Sequence, residues 1–485
     1  MSRASKAGRL RRRLLAGSMA VLVLGAVTAA VAVERLGLTP RALGPYIERR
    51  VEGHNPAIAA TGRLIGRALL ELDRGTTQAM QGAAPALVLG AQAASANPAA
   101  AAGTLAATSD EVRAALAAAQ PGSVITLLPG TYRFEGIKID ADRPGRAEAP
   151  ITVRAVQPGS VRIEFAMVEG FKVSAPWWRF ENLVIRGVCA DDDSCEHAFH
   201  VVGAARHFAA VNNTISDFNA HFKINSEDGR FPDDGVIESN TLDNTRVRAT
   251  ARPVTPIDMV AASRWVIRGN RISDFVKGGG DRVSYGAFAK GAGASNLFER
   301  NLVWCERRLR GQPGQRIGLS LGGGGTDKQA CRDGKCVTEQ DGGILRANLI
   351  TGCSDVGIYL NSASASKIED NTLVDTGGID VRFPASSAQL DGNLVDGAIR
   401  SRNGGLLHLG DNRSMPLWQS FVGLHRVRTL FAAPQDGDFL WKDGMPLREG
   451  AAQGAAQDLC GKRRAARPAY GAFDDFGACL AAPAR

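Results

Sequence analysis

Residues 268–275 read RGNRISDF, and the same outline returns as VNNTISDF at 211–218, ESNTLDNT at 238–245 and ERNLVWCE at 299–306. It continues as RANLITGC at 346–353, EDNTLVDT at 369–376 and DGNLVDGA at 391–398, with a first copy, FENLVIRG, at 180–187. An asparagine stands before a short apolar strand each time: Asn182, Asn213, Asn240, Asn270, Asn301, Asn348, Asn371 and Asn393, at steps of 31, 27, 30, 31, 47, 23 and 22 residues. Self-similarity at such intervals marks a stacked array. The β-branched strands and Gly/Asn/Asp turns make the repeated unit a coil of strands, not a helix pair. The spacing predicts an all-β chain wound as a parallel β-helix. In it the asparagines are the frame: Asn tolerates a left-handed turn, and stacked side-chain amides bond from coil to coil.

The chain has 485 residues, 44% of them hydrophobic, and 56 glycines. A solenoid of this length keeps one continuous core because each repeat packs only on its neighbours. Of the net charge of +9, Arg3, Lys6, Arg9, Arg11, Arg12 and Arg13 supply six, leaving +3 beyond residue 33. That excludes a broad basic surface for nucleic acid. Those cations precede Leu14–Val33, a stretch without charge that is long enough to span a bilayer and is flanked as the positive-inside rule expects. It reads as an uncleaved anchor; the alternative is a signal peptide cut near Ala30-Val31-Ala32. Both readings place the remainder outside the cytoplasm, in the periplasm of a bacterium.

Eight cysteines suit an oxidising compartment. Local loops pair Cys331 with Cys336 and Cys189 with Cys195. Cys305 and Cys353 follow their asparagines by four and five residues, so they lie over one another in adjacent coils and predict a coil-to-coil bridge. Cys460 and Cys479 then staple the tail. With no CxxC pair and no histidine at ligand spacing, a zinc site is excluded.

Residues 34–107 read as helical pieces, notably Ile58–Leu72, followed by an Ala-rich linker from 83. At 108–122, TSDEVRAALAAAQPG has capping-box spacing at Thr108 and Glu111 and a stop at Pro121-Gly122, so it predicts a short helix capping the solenoid's open end. The β-helix is expected over 108–410, with 411–485 as a tail packed on it.

A second strand follows most asparagines: NAHFKIN (219–225), TPIDMVA (255–261), YGAFAKG (285–291), IGLSLGG (317–323), VGIYLNS (356–362) and GGIDVRF (377–383), with HAFHVVG (197–203) before them. Strand side chains alternate between faces. With Phe222, Met259, Ala289, Leu321, Leu360 and Val381 inward, one outward column reads His221, Asp258, Phe288, Ser320, Tyr359, Asp380. The other reads Lys223, Val260, Lys290, Gly322, Asn361, Arg382, and His200 extends the face. Such a mixture of cations, acids, amide and aromatic rings fits a chain-like ligand, with Phe288 and Tyr359 as sugar-stacking surfaces. The run Gly322–Gly325 lacks a GKS or GKT ending, which excludes a P-loop. It lets the chain turn closely beside a ligand or beside the CRDGKC loop.

AALAAAQPGSVITLLPGTY, APITVRAVQPGSVRI and WWRFENLVIRG, within 108–187, resemble the opening of the chondroitinase-B-like and alginate-lyase-like enzymes, polysaccharide lyase family 6. The resemblance implies a right-handed parallel β-helix that cleaves uronate-containing glycans by β-elimination. AFAKGAGASNLFERN resembles the family's lysine motif and puts Lys290 at the position of the base. The family's arginine in the next coil is replaced by Gly322. Calcium is implied by the resemblance, but where its acidic ligands belong this chain has Val283 and Tyr285.

Elimination beside a uronate needs a base for the C5 proton, a cation at the carboxylate and an acid for the leaving oxygen. Lys290 is the expected base, Arg316 or Arg382 the cation, and His221 or Tyr359 the acid. His200, Lys223, Asp258, Phe288, Asn361 and Arg382 are expected to bind substrate, and Arg307, Arg308 and Arg310 form a basic loop beside them. Two other classes stay open. One is a non-catalytic glycan-binding or envelope scaffold protein. The other is a glycoside hydrolase using Asp258 and Asp380, although four coil steps put those carboxylates farther apart than that chemistry takes, by roughly 10 Å or more.

Overall fold

The structure is a computed structural model and describes residues 3–75, 86–92, 103–449 and 456–481; the side chains of 3–17, 20 and 22 lie outside that description. The side chains of the N-terminal basic cluster and of part of Leu14–Val33, and much of the Ala-rich linker, therefore fall outside it. The chain forms two compact units, one of residues 1–75 with 415–425 and the other of 76–414 with 426–485.

The first unit is helical: α1 (Arg3–Leu36), α2 (Pro40–Val51) and α3 (Pro56–Arg74). Thr39 and Asn55 cap α2 and α3, each followed by proline at the first helical turn. Gly62 and Gly66 let α3 close on α2; a Cβ at Gly62 would fall 2.4 Å from Val51. A buried Arg41–Asp73 pair, 2.7 Å apart, ties the two helices. Among the described residues no single helix is long and apolar enough to cross a membrane; Val23–Leu36 and Pro40–Val51 pass that test only together, across a 91° bend.

The second unit is a parallel β-helix. Its chain visits three sheets in turn, and among the described residues these have twelve, eleven and ten strands. Successive coils add one strand to each sheet, all parallel: Val211 sits beside Glu238, Ile237 beside Ile267, and Ile272 beside Val303. The capping helix α4 (Ser109–Ala117) carries the expected reciprocal bonds between Thr108 and Glu111 and buries Val112 and Leu116. One apolar column fills the interior, including a run of stacked rings from Phe171 through Phe199 to Phe222 at 5.5 and 5.2 Å. Each such side chain contributes about 1.5–3 kcal/mol by leaving water.

The asparagine ladder is continuous from Asn213 to Asn412. Each Oδ1 accepts both the backbone N–H and the Nδ2 of the preceding rung, as Asn270 does from Asn240 at 2.8 and 3.1 Å. Each Nδ2 also donates to a main-chain carbonyl, Ile237 O in the case of Asn270 at 2.8 Å. Two details depart from expectation. Asn182 lies one residue ahead of the ladder and bonds Asn212, while Leu183 holds the ladder position in its coil. The left-handed turn belongs to the residue before each rung, such as Ser239 (φ 55°), Arg300 (φ 53°) and Ala347 (φ 51°). Left-handed backbone at a non-glycine costs roughly 1–2 kcal/mol, and the ladder's bonds offset it coil by coil.

All four cysteine pairs form as expected: Cys189–Cys195, Cys305–Cys353, Cys331–Cys336 and Cys460–Cys479. The tail closes its own aromatic cluster around Phe431, Trp441 and Phe473. It lies on the late coils, where Arg448 reaches Asp370 and Asp391 and Ala472 N donates to Thr372.

Candidate functional site

The ten-strand sheet carries the outward columns. Cα register reads Asp140, Lys172, His200, Lys223, Asp258, Phe288, Ser320, Tyr359, Asp380, Arg400 along one column. The neighbouring column holds Lys290 beside Val260, and Arg382 beside Asn361. At about 4.8 Å per coil, Lys223 lies two coils below Lys290 and Arg382 three above.

His221 is not in this column. Lys223, not His221, stands opposite Asp258. His221 precedes Phe222 as Ala198 precedes Phe199 and Gly170 precedes Phe171. This corner position points into the coil, where a Cβ at Gly170 would meet the Phe165 ring at 2.5 Å and one at Gly286 would meet Val303 at 2.9 Å. His221 is fully buried, with Nε2 3.0 Å from Asp243 O. Burial lowers its imidazole to about 4. It cannot deliver a proton to a ligand on the outer face. The clue in the sequence was the small residue before each first inward residue, as in EGF, HAF, YGA, IGL and VGI; AHF aligns there.

Arg316 is equally withdrawn. It is 1% exposed, its Nε is 2.8 Å from Glu306, and its Nη1 donates to Pro313 O at 2.8 Å. The expected basic loop is also committed: Arg308 bonds Asp243 and Asp274, and Arg310 bonds Asp375. Both aromatic rings are covered, contrary to the stacking expectation. Phe288 packs with Val260, Ala261, Phe231 and Ala330, and Tyr359 with Ile317 and Val356.

What the face leaves accessible is mostly cationic. Lys290 is half-buried, its Nζ 4.8 Å from the Phe288 ring centre, and among the described residues no carboxylate pairs with it. Lys223 bonds Asp258 at 2.9 Å. Arg382 Nη1 donates to the Tyr359 hydroxyl at 3.4 Å. Asp380 is buried between Arg402 and Arg400, so it cannot serve as a hydrolytic carboxylate opposite Asp258.

Lower on the same sheet, His200 lies between Glu169, 3.1 Å from Nδ1, and Asn225, 2.8 Å from Nε2. The bond to His200 holds the Glu169 carboxyl below its usual range. Lys172 pairs with Glu227 at 2.6 Å, which raises its ammonium. His197 beside them is partly exposed, and desolvation pushes its imidazole down to about 3. The outer face also holds two groups that the strand alternation missed: Tyr285, edge-on to Phe288 at 5.5 Å, and Asp355, whose carboxyl burial pushes upward. Tyr285 escaped because the corner turns one residue out of step.

The calcium that the resemblance implies finds no ligand set here. Val283 and Tyr285 offer no carboxylate. Asp258 is held by Lys223, and Glu339 accepts from Gly291 N and Thr326 Oγ1 at 3.1 and 2.6 Å. Among the described residues the one compact set of possible metal ligands is Cys331, Asp333 and Cys336, whose sulfurs are joined as a disulfide.

No family model matches this chain, and no curated protein does. Among solved structures it is similar to pectate lyase Pel9A, at 14% identity over 75% of this chain and 90% of that one, with a TM-score of 0.48. It is also similar to a rhamnogalacturonan lyase, at 14% identity over 62% and 82% with a TM-score of 0.45. A PL6 family polysaccharide lyase from Pseudopedobacter saltans follows, at 12% identity over 64% and 92% with a TM-score of 0.33. The β-helix assignment itself stands on the strand register of this chain.

Proposed function

We propose that this protein acts outside the cytoplasm on an anionic, uronate-containing polysaccharide and cleaves it by β-elimination, with Lys290 as the base. The observation that carries this reading is the Lys290 amine, set on the outer face of the β-helix over Phe288 and paired with no carboxylate among the described residues. The motif around it, AFAKGAGASNLFERN, is the one that resembles polysaccharide lyase family 6.

In the elimination, the Lys290 amine takes the C5 proton. The C5–H electrons form the C4–C5 double bond as the C4–O bond breaks, and the leaving oxygen is protonated. Tyr359, polarised by Arg382, supports the role of acid. Lys223 and Arg382, in coils below and above, suit the carboxylates of flanking sugars. The four disulfides fit an oxidising compartment. Leu14–Val33, behind its six cations, supports a seat at the outer face of a membrane.

The test is the ultraviolet absorbance of unsaturated products from alginate, chondroitin and pectate. No product from any of them overturns the reading.

A second reading, glycan binding without cleavage, is favoured by one observation: Gly322 stands where the resemblance calls for arginine, and the nearest alternative, Arg316, is buried against Glu306. Binding without product, unaffected by Lys290→Ala, would establish it.

A further inference from the structure

The uronate carboxylate next to the reacting carbon needs a partner, and on the proposed lyase reading the missing arginine leaves none assigned. We propose that the glycine run after the Gln315–Leu321 strand supplies it: the backbone N–H groups of Gly323, Gly324 and Gly325, with the Asn361 amide, form a carboxylate-binding pocket beside Lys290. The inference rests on that reading for the role of Lys290, but the pocket stands on its own donors.

Three observations meet here. First, Gly322, Gly324 and Gly325 have φ of 71°, 64° and 69°, and Gly323 between them does not. Turns with left-handed residues of this kind form nests, in which successive backbone N–H groups make an anion-binding concavity. Second, Gly322 N is used by Ala289 O at 2.7 Å and Thr326 N by Glu339, whereas Gly323, Gly324 and Gly325 donate to no group among the described residues. The Asn361 side chain likewise has no partner there, and neither does Lys290 beyond the Phe288 ring.

Third, the donors are adjacent. A Cβ at Gly323 would fall 2.8 Å from Lys290 Cδ, and one at Gly324 would fall 2.8 Å from Asn361 Nδ2. A side chain at Gly323 would press on Lys290, and one at Gly324 would press on Asn361 and strain the backbone as well. Glu339 is the nearby acid, but it is buried and its oxygens face Thr326 and Gly291 N. Several unsatisfied donors turned into one pocket select an anion, and a planar carboxylate accepting several N–H bonds is the form a uronate presents. A neutral methyl ester lacks that charge.

The experiment is calorimetric titration of the full-length protein with oligogalacturonate, oligomannuronate and a chondroitin oligosaccharide, each as free acid and as methyl ester, for wild type and Asn361→Asp. The acid of at least one series is expected to bind the wild type about tenfold or more tightly than its ester, a difference of about 1.4 kcal/mol, and Asn361→Asp is expected to abolish that preference. Equal affinity for acid and ester, a preference that survives Asn361→Asp, or no binding by any probe overturns the pocket. Acid-selective binding without unsaturated product would keep the pocket and overturn the lyase reading instead.

Discussion

Lys290 and Phe288 are two residues apart on one strand, and the ammonium nitrogen stands 4.8 Å from the ring centre. Phe288 is itself fixed from the other side by Phe231, Tyr285 and Ala330. The lysine stem therefore runs along a rigid surface, with Gly323 passing close on its far side. Gly323→Ala puts a methyl group 2.8 Å from Lys290 Cδ, too close for both to stay, and should displace the amine without disturbing the core. The expected outcome is a drop in kcat of about tenfold, or about 1.4 kcal/mol on the barrier, with an unchanged melting temperature. Steady-state rates and thermal scans check both halves.

The ladder predicts a stability effect far from the groove. Asn270→Ala strips the Asn240 N–H and Nδ2 of their acceptor and Ile237 O of a donor. An unsatisfied buried group costs about 1–3 kcal/mol, so the variant should unfold at clearly lower urea, followed by circular dichroism. Its activity per folded molecule should be that of the wild type.

Arg316 tests the division between frame and site. Removing it takes away the cation facing Glu306, and breaking a buried ion pair costs about 3–5 kcal/mol. Arg316→Ala should lower the urea midpoint strongly, and the double variant Arg316→Met with Glu306→Leu should recover much of the loss. Were Arg316 the group that neutralises the substrate, the double variant would instead be stable and inactive.

Two desolvated histidines set an acid limit. His221 and His197 have folded-state values of about 4 and about 3, below the ordinary 6.5, because burial disfavours the charged ring. The unfolded chain binds more protons through that interval. The stability they contribute is therefore complete above about pH 6.5 and declines as the pH falls toward 4 and 3. His221→Gln should flatten the fall in melting temperature between pH 7 and pH 5, measured in matched buffers.

How much of this was legible in the sequence depends on what each residue contacts. Asn213 to Asn393 announced the coils because every rung repeats the same bonds to its neighbours, so the pattern recurs in the chain. The Cys305–Cys353 bridge was legible for the same reason, because register alone brings one over the other, while short local spacing gave Cys189–Cys195 and Cys331–Cys336. His221 was not, because period-two alternation is satisfied equally at 221 and 223, and the insertion at 226–254 carries no count of the offset. Only the small-residue corner, shared by Gly170, Ala198 and Gly286, breaks the tie. Arg316 reads as an available cation because its partner, Glu306, arrives from an inserted loop. The covering of Phe288 depends on Phe231 and Ala330, which lie outside the repeat and leave no periodic trace.

The central claim is that Lys290 removes a proton from a uronate sugar. The direct measurement compares wild type with Lys290→Ala on alginate, chondroitin and pectate, recording the ultraviolet absorbance of the new carbon–carbon double bond while circular dichroism confirms equal folding. The account predicts unsaturated product from at least one polymer with the wild type, and a rate lower by roughly a hundredfold or more in the variant, as loss of a general base brings. Equal rates in the two proteins, or no unsaturated product from the wild type on any of them, would contradict it.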